Sequence, residues 1–317
     1  MAPVNLPPPP MELAMRVGSV VGSDPMGGYE GIGVTAKLTI EQSLPADWNW
    51  EGRRALDFGC GAGRVLRHFT REATAAEFWG CDIDEASIAW LNANASPPFH
   101  AFVVEEEPGL PTEDDYFDVA WAMSVFTHLT DHWAGWLLEL HRVLKPGGHL
   151  ITTFLGSNIA KEQLDDPWKE DRVGMNVVGA GRPWAEGGPS VFHSQWWLRA
   201  HWGRAFEIVE LEPNELFPGT QGLIVMRKRP VQLTVADLER PEPEDPREIA
   251  ALRHNLRQLH AEDGRVRDQL RISSRHASDL EARLAHRWSA RVRGLARRTA
   301  WGRWIGRRLR AGYPSRR

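Results

Sequence analysis

Two cysteines in 317 residues leave no room for a disulfide framework. A reducing cytosol is the simple inference. No apolar run reaches 18 residues, so no membrane-spanning helix is expected. The first ten residues, Met1 to Pro10, lack the basic and apolar regions of a signal peptide. No His, Cys and Asp cluster has metal-ligand spacing, so no metal is expected. Acids are missing from residues 282–317, which hold 12 arginines. The net charge of −4 therefore hides an asymmetry. Residues 231–317 contain 20 arginines, no lysine and 11 acids, so they carry +9 and the remainder −13.

Against these absences stands one dense stretch, Leu56-Asp57-Phe58-Gly59-Cys60-Gly61-Ala62-Gly63, followed by Arg64 to Phe69. An apolar run ends in an acid, three glycines alternate, and an amphipathic pattern begins. The pattern predicts a strand, a tight loop and a helix over 63–72. Glycine serves where backbone takes positive φ or lies against a ligand. A helix start adds N–H donors and a positive dipole end. A dinucleotide fingerprint needs G-x-G-x-x-G, but arginine occupies position 64. Asp57, two residues before the first glycine, suits a cationic amine better than a pyrophosphate. S-adenosylmethionine has that amine, and a carboxylate for the loop amides. Glu77 to Asp82 reads as a second strand, ending in an acid 25 residues after Asp57. An acid there accepts hydrogen bonds from a ribose diol. Asp82 takes that role, with Ile83 beside it, and Asp84 reads as the cap of a helix over 85–94.

These residues resemble motif I of class I S-adenosylmethionine-dependent methyltransferases. Three further stretches match in order. Tyr116 to Leu129 resembles the family's fourth strand and following turn. Leu140 to Ile151 resembles its helix, Pro-Gly-Gly turn and fifth strand. Gln221 to Arg227 resembles its closing strand. The wording Ser124-Val125-Phe126-Thr127-His128-Leu129 is similar to bacterial methyltransferases associated with glycosyltransferases for surface polysaccharides. The resemblance implies an α/β, Rossmann-like, seven-stranded and mostly parallel sheet in the order 3-2-1-4-5-7-6, with helices on both faces. It implies that Asp57, Gly59, Cys60, Gly61, Gly63, Asp82 and Ile83 hold the cofactor. Glu105 or Glu106 would meet the adenine amine, and Ala122, Met123 and Ser124 would line the methionine end mostly by backbone.

Alternating strand and helix patterns fill residues 51–230, with strands near 54–58, 77–82, 99–104, 117–123, 149–154, 206–211 and 221–227. Helices are expected near 63–72, 85–94, 131–144 and 194–204. Residues 1–50 read as a proline-rich, disordered lead and a helical cap. Tyr29 or Arg16 of the cap is placed to contact the cofactor, ordinary packing being the alternative. Residues 155–192, rich in glycine and proline, read as an irregular substrate lid. Residues 231–246 form an acidic linker. Residues 247–286 carry a seam at steps of three and four, Ile249, Leu252, Leu256, Leu259, Asp263, Val266, Leu270, Ser273, Ala277, Leu280 and Leu284. It suits a coiled coil, either a homodimer or a pairing with a partner helix through 249–284, with one helix folded back on the catalytic domain as the alternative. Residues 287–317 read as an Arg/Trp-rich amphipathic tail for an anionic membrane surface. A solvated tail is the first alternative, and nucleic acid is the less favoured partner, because Trp288, Trp301 and Trp304 favour a lipid interface.

Methyl transfer to a hydroxyl needs a base. His128, after the fourth strand, and His193, where the lid returns to a helix, are the candidates. Trp184, Trp196 and Trp197 fit stacking on sugar faces or packing in the core. The reading is a cytoplasmic methyltransferase, peripheral at the inner membrane face. It O-methylates a sugar or glycolipid precursor of a surface polysaccharide. A small-molecule or RNA methyltransferase is the alternative within enzymes. A degenerate fold acting as a coiled-coil adaptor is the non-enzymatic one.

Overall fold

A computed structural model describes residues 6–17, 24–157, 159–160, 168–183, 187–216 and 220–298. Its centre is a seven-stranded sheet. The strands in chain order are β1 Arg54–Phe58, β2 Glu77–Asp82, β3 Phe99–Val103, β4 Phe117–Ala122, β5 Leu144–Phe154, β8 Phe206–Leu216 and β9 Gln221–Lys228. They lie in the order β3-β2-β1-β4-β5-β9-β8. The first five are mutually parallel, while β9 runs antiparallel to both β5 and β8. This is the order the resemblance implied, with the last strand in sequence inserted between β5 and β8.

β1 and β4 are buried on both faces, as central parallel strands must be. Period-two alternation divides their side chains between two cores. Leu56, Phe58, Ala120 and Ala122 join the core under α4 (Trp133–Val143) and α5 (Gln195–His201). Ala55, Val119, Trp121 and Met123 join the core under α2 (Pro25–Ser43) and α3 (Glu85–Asn94). The same parity puts Asp57 and Asp82 on the α2/α3 face. α4 buries Trp133, Trp136, Leu137, Leu140 and Val143, a stripe at helical spacing.

Four expectations differ. No continuous α-helix follows the glycine loop. Residues 66–69 and 72–74 are short 3₁₀ turns instead. Helix α2 lies directly on this segment: a Cβ on Gly33 would sit 2.1 Å from the Arg64 carbonyl oxygen. The helix-dipole argument for the loop therefore falls away, and the amides of the loop itself remain. The lid is not wholly irregular, because β6 (Met175–Val178) and β7 (Ser190–His193) form an antiparallel ribbon. The lead is placed from Leu6 onward, where the Leu6 and Pro7 carbonyls accept from Arg67 at 3.1 and 2.9 Å. It continues into the short α1 (Met11–Ala14). The linker is docked rather than free. Its helix α6 (Val235–Glu239) buries Leu238, and Arg204 donates to the Asp237 and Leu238 carbonyls at 2.6 and 3.0 Å.

The amino edge of the sheet is held by a buried charge that the sequence reading missed. Asp118, at the start of β4, accepts from Arg53 at 2.8 Å, Lys145 at 2.7 Å and the Arg54 amide at 2.9 Å. Burial pushes its carboxyl up, but these donors outweigh it and leave the group below its ordinary value.

Residues 1–255 and 256–317 are separate compact units. α7 (Pro246–Arg298) starts in the first and makes up the described part of the second. It runs without a break across the expected boundary at 286/287. Residues 299–317 of the tail, with Trp301 and Trp304, and Trp184 of the lid lie outside the described residues.

Candidate functional site

The glycine loop leaves the carboxyl end of β1, and each glycine answers a different demand. Gly59, at φ +78°, donates with Cys60 to the Cys81 carbonyl at 2.8 and 3.0 Å. A Cβ on Gly59 would strike Val125 of the turn after β4 at 2.3 Å. Gly61, at φ +51°, donates its amide to the Asp82 carboxylate at 2.7 Å. Gly63, at φ +77°, lets Leu91 of α3 approach within 2.4 Å of the missing Cβ. The loop is thus fixed by β2, by the post-β4 turn and by α3. Cys60 is buried beneath it, and burial pushes both its thiol and that of Cys81 well up.

Asp82 caps β2 and also accepts from the Asp84 amide at 2.9 Å. Burial raises its pKa despite the Asp84 and Gly61 amides. A carboxylate offers about four acceptor sites, so two amides leave capacity for a diol. Asp84 sits at the first residue before α3, where it accepts from the Ser87 hydroxyl at 2.5 Å and pairs with Arg16. Arg16 therefore reaches the site's rim through an ion pair.

Asp57 is 1 % exposed, and its Oδ2 has no hydrogen-bond partner. Burial pushes its pKa to about 7, with the Trp121 indole and then the Arg64 guanidinium pulling the other way. A buried carboxylate oxygen without a donor, at the end of the leading strand, fits a ligand carrying a cationic amine. Arg64 is 7 % exposed and interacts electrostatically with both Asp57 and Tyr29. In the sequence, Arg64 stands out only as the residue where a dinucleotide fingerprint has glycine. Tyr29 is fully buried and its hydroxyl lacks a partner. Glu30 of the same helix pairs with Arg67 at 3.3 Å and faces His68 at 3.5 Å, tying α2 over the loop.

The remaining expected residues lie along the same carboxyl edge. Ile83 is 45 % exposed just beyond β2. Glu105 and Glu106 are exposed just beyond β3, and the Glu106 carbonyl accepts from the Trp136 indole at 3.1 Å. Ala122 and Met123 are buried at the end of β4. Ser124 holds φ +64°, a conformation disfavoured outside glycine. Its amide donates to Thr153 Oγ1 at 2.8 Å, and its hydroxyl meets the Gln221 amide group at about 3 Å, which together fix it there.

The two histidines differ. The His128 Nδ1 lies 2.7 Å from the Pro189 carbonyl. A carbonyl only accepts, so Nδ1 carries the proton and the basic lone pair is on Nε2. Burial lowers its pKa, so the ring is neutral at pH 7. The Val191 amide donates to the Thr127 carbonyl at 2.8 Å, lacing the lid ribbon to the same turn. His193 is 1 % exposed between Trp197 and Trp202, its ring centroid 5.4 and 5.5 Å from theirs. Neither of its ring nitrogens has a hydrogen-bond partner, and burial pushes its pKa down to about 3. Trp196 and Trp197 are both core, 7 % exposed. Among the described residues no group of His, Cys, Asp and Glu is arranged to hold a metal.

Residues 56–152 match a family model described as a methyltransferase domain. The phthiotriol/phenolphthiotriol dimycocerosates methyltransferase 1 of Mycobacterium ulcerans is 29 % identical over 159 residues, 50 % of this chain and 54 % of that protein. The fatty-acid O-methyltransferase of Mycolicibacterium smegmatis is 28 % identical over 116 residues, 37 % of this chain and 42 % of that protein. The chain thus spans about half the length, or less, of these curated relatives. Among solved structures, the PH0226 protein of Pyrococcus horikoshii is 18 % identical, with TM-score 0.47, covering 64 % of this chain and 92 % of that one. An S-adenosylmethionine-dependent methyltransferase from Mesorhizobium loti is 19 % identical, with TM-score 0.44, covering 60 % and 96 %.

Proposed function

We propose that this chain, which carries a class I methyltransferase domain with S-adenosylmethionine as its cofactor, methylates an oxygen on a lipid-borne acceptor, a glycolipid precursor being our first choice. The observation that carries the reading is the pair of acids on one sheet face, Asp57 with an unsatisfied buried oxygen and Asp82 bound into the glycine loop.

S-adenosylmethionine supplies a methyl group on a sulfonium, already a good leaving group. The chain's task is positioning and proton handling. Positioning alone contributes on the order of 7–11 kcal/mol to such transfers. Asp57 would neutralise the cofactor's ammonium, Arg64 and the loop amides would meet its carboxylate, and Asp82 would accept from the ribose. Ile83 and Glu105 or Glu106 would border the adenine, and Ala122, Met123 and Ser124 the methionyl arm. His128 would take the acceptor hydroxyl's proton at Nε2 while Pro189 retains the proton on Nδ1. The β6–β7 ribbon would exclude water above it.

The acceptor class draws on two supports. The relatives named above act, by name, on a mycobacterial lipid and on fatty acids. The acid-free, arginine- and tryptophan-rich residues 287–317 suit peripheral docking at an anionic inner membrane face. Among the described residues no helix is long and apolar enough to cross a membrane. Labelled methyl transfer by the full chain to glycolipid, fatty acid, free sugar and RNA tests the reading. Incorporation into RNA alone, or calorimetry detecting no binding of S-adenosylmethionine, overturns it.

A further inference from the structure

The second unit, residues 256–317, is described up to Arg298 and consists there of one helix. At 1.5 Å per residue the described stretch is about 64 Å long. Leu256, Leu259, Val266, Leu270, Leu280 and Leu284 are each between 53 % and 61 % exposed along it. Their steps of three and four hold them on one stripe. A lone helix whose apolar stripe faces water is marginally stable, because helix stability in proteins comes mainly from burying such a stripe.

We infer that this helix pairs with a second copy of the chain as a parallel, in-register coiled coil. With Leu256, Asp263, Leu270, Ala277 and Leu284 at the a positions, Leu259, Val266, Ser273 and Leu280 take the d positions. The flanking g and e positions then fall to Glu262, Gln269 and His276, and to Arg267, Ser274 and Glu281. In a parallel pair each g residue meets the e residue five positions later on the other copy. Glu262 meets Arg267, Gln269 meets Ser274, and His276 meets Glu281. No like-charged pair arises along the seam's flanks. The polar layers also coincide, Asp263 with Asp263 and Ser273 with Ser273, and such layers set register at some cost in stability. Within each chain Arg267 lies 2.7 Å from Asp263, which offsets the carboxylate pair. A centred antiparallel pair is the alternative. It also aligns the polar layers, setting Asp263 against Ser273, Leu256 against Leu280 and Leu270 against Val266, so the cross-linking below decides the orientation.

Sedimentation of the full chain at micromolar concentration tests the pairing, with Leu259→Glu/Leu270→Glu as the disrupting variant. A wild-type dimer that becomes a folded monomer in the variant supports the inference, and a monomeric wild type overturns it. Orientation is read by mild oxidation. Both native cysteines are buried, so added ones report alone. Leu256→Cys and Leu270→Cys should each cross-link to themselves. Cross-linking only between mixed Leu256→Cys and Leu280→Cys chains means an antiparallel pair and overturns the proposal. Glu262→Arg should raise the dimer Kd about tenfold. No effect of the single change overturns the proposed register.

Discussion

The Gly61 amide donates to the Asp82 carboxylate at 2.7 Å, joining the glycine loop after β1 to the end of β2. One side chain thus shapes the loop and faces the proposed ribose site. Asp82→Ala removes both roles and should weaken S-adenosylmethionine binding by about 100-fold, or 2.7 kcal/mol. Asp82→Asn retains an acceptor and should lose less. Gly61→Val forces a β-branched residue to φ +51° and should abolish binding. Calorimetry on the full chain reads all three. Full affinity in both Asp82→Ala and Gly61→Val would move the cofactor site elsewhere.

Asp57 gives a pH dependence of known sign. Its folded pKa, about 7, lies above that of an unfolded aspartate. The resulting stability is therefore fully present below about pH 4 and is lost as pH rises through about 7. Asp57→Asn keeps the neutral form throughout. The cofactor-free variant should outlast wild type in urea at pH 8 by about 2–4 kcal/mol and lose that advantage near pH 4. The same variant should bind S-adenosylmethionine far more weakly, and wild-type affinity should rise from pH 6 to pH 8.

His128 and His193 separate by kinetics. His128→Asn should lower kcat by about 10²–10³-fold with cofactor affinity unchanged. Because burial holds the His128 pKa below its ordinary value, wild-type kcat should not fall on acidification from pH 8 to 7. His193→Leu removes two buried nitrogens that lack partners and should leave kcat within a few-fold while raising Tm. A collapse of kcat in that variant would make His193 the base.

Asp118 supports the opposite edge of the sheet. Its pKa lies below the unfolded value, so its stabilisation is present above about pH 4 and is lost as pH falls through the lowered folded value. Asp118→Ala leaves Arg53 and Lys145 facing each other and should cost about 2–3 kcal/mol, discounted because both cations are more than a third exposed. Urea unfolding at pH 7 and at pH 3 checks this, and the difference between variant and wild type should shrink at pH 3.

His201 anchors the start of α7. Its Nε2 lies 2.9 Å from Glu248 and its Nδ1 2.7 Å from the Leu238 carbonyl, all out of solvent. His201→Leu leaves the buried Glu248 carboxylate the Glu242 amide in place of the imidazole and should cost about 3 kcal/mol. Proteolysis between residues 231 and 250 should accelerate in parallel.

Much of this was legible because it is local. The glycine spacing, Asp57, Asp82 and the apolar stripe of α4 each lie within one element, where pattern and period speak directly. What was missed depends on partners distant in sequence. Arg64 is buried because α2, more than twenty residues earlier, lies over it. The helix expected at 63–72 yields to that same close approach at Gly33, since packing overrides propensity. The β6–β7 ribbon pairs Met175 with His193 across a glycine-rich stretch whose composition signals only irregularity. Asp118 looks like any strand-flanking acid until Arg53 and Lys145 converge on it. The docking of residues 231–246 depends on the burial of Leu238 and on Arg204, more than thirty residues earlier.

The position of β9 bears on synthesis at the ribosome. It is the final strand in sequence yet lies inside the sheet, hydrogen-bonded to β5 on one side and β8 on the other. Until Lys228 has emerged from the exit tunnel, β5 presents a bare ladder of amides and carbonyls, a template for intermolecular association. Premature termination anywhere upstream of residue 221 should therefore yield aggregates rather than a smaller working domain.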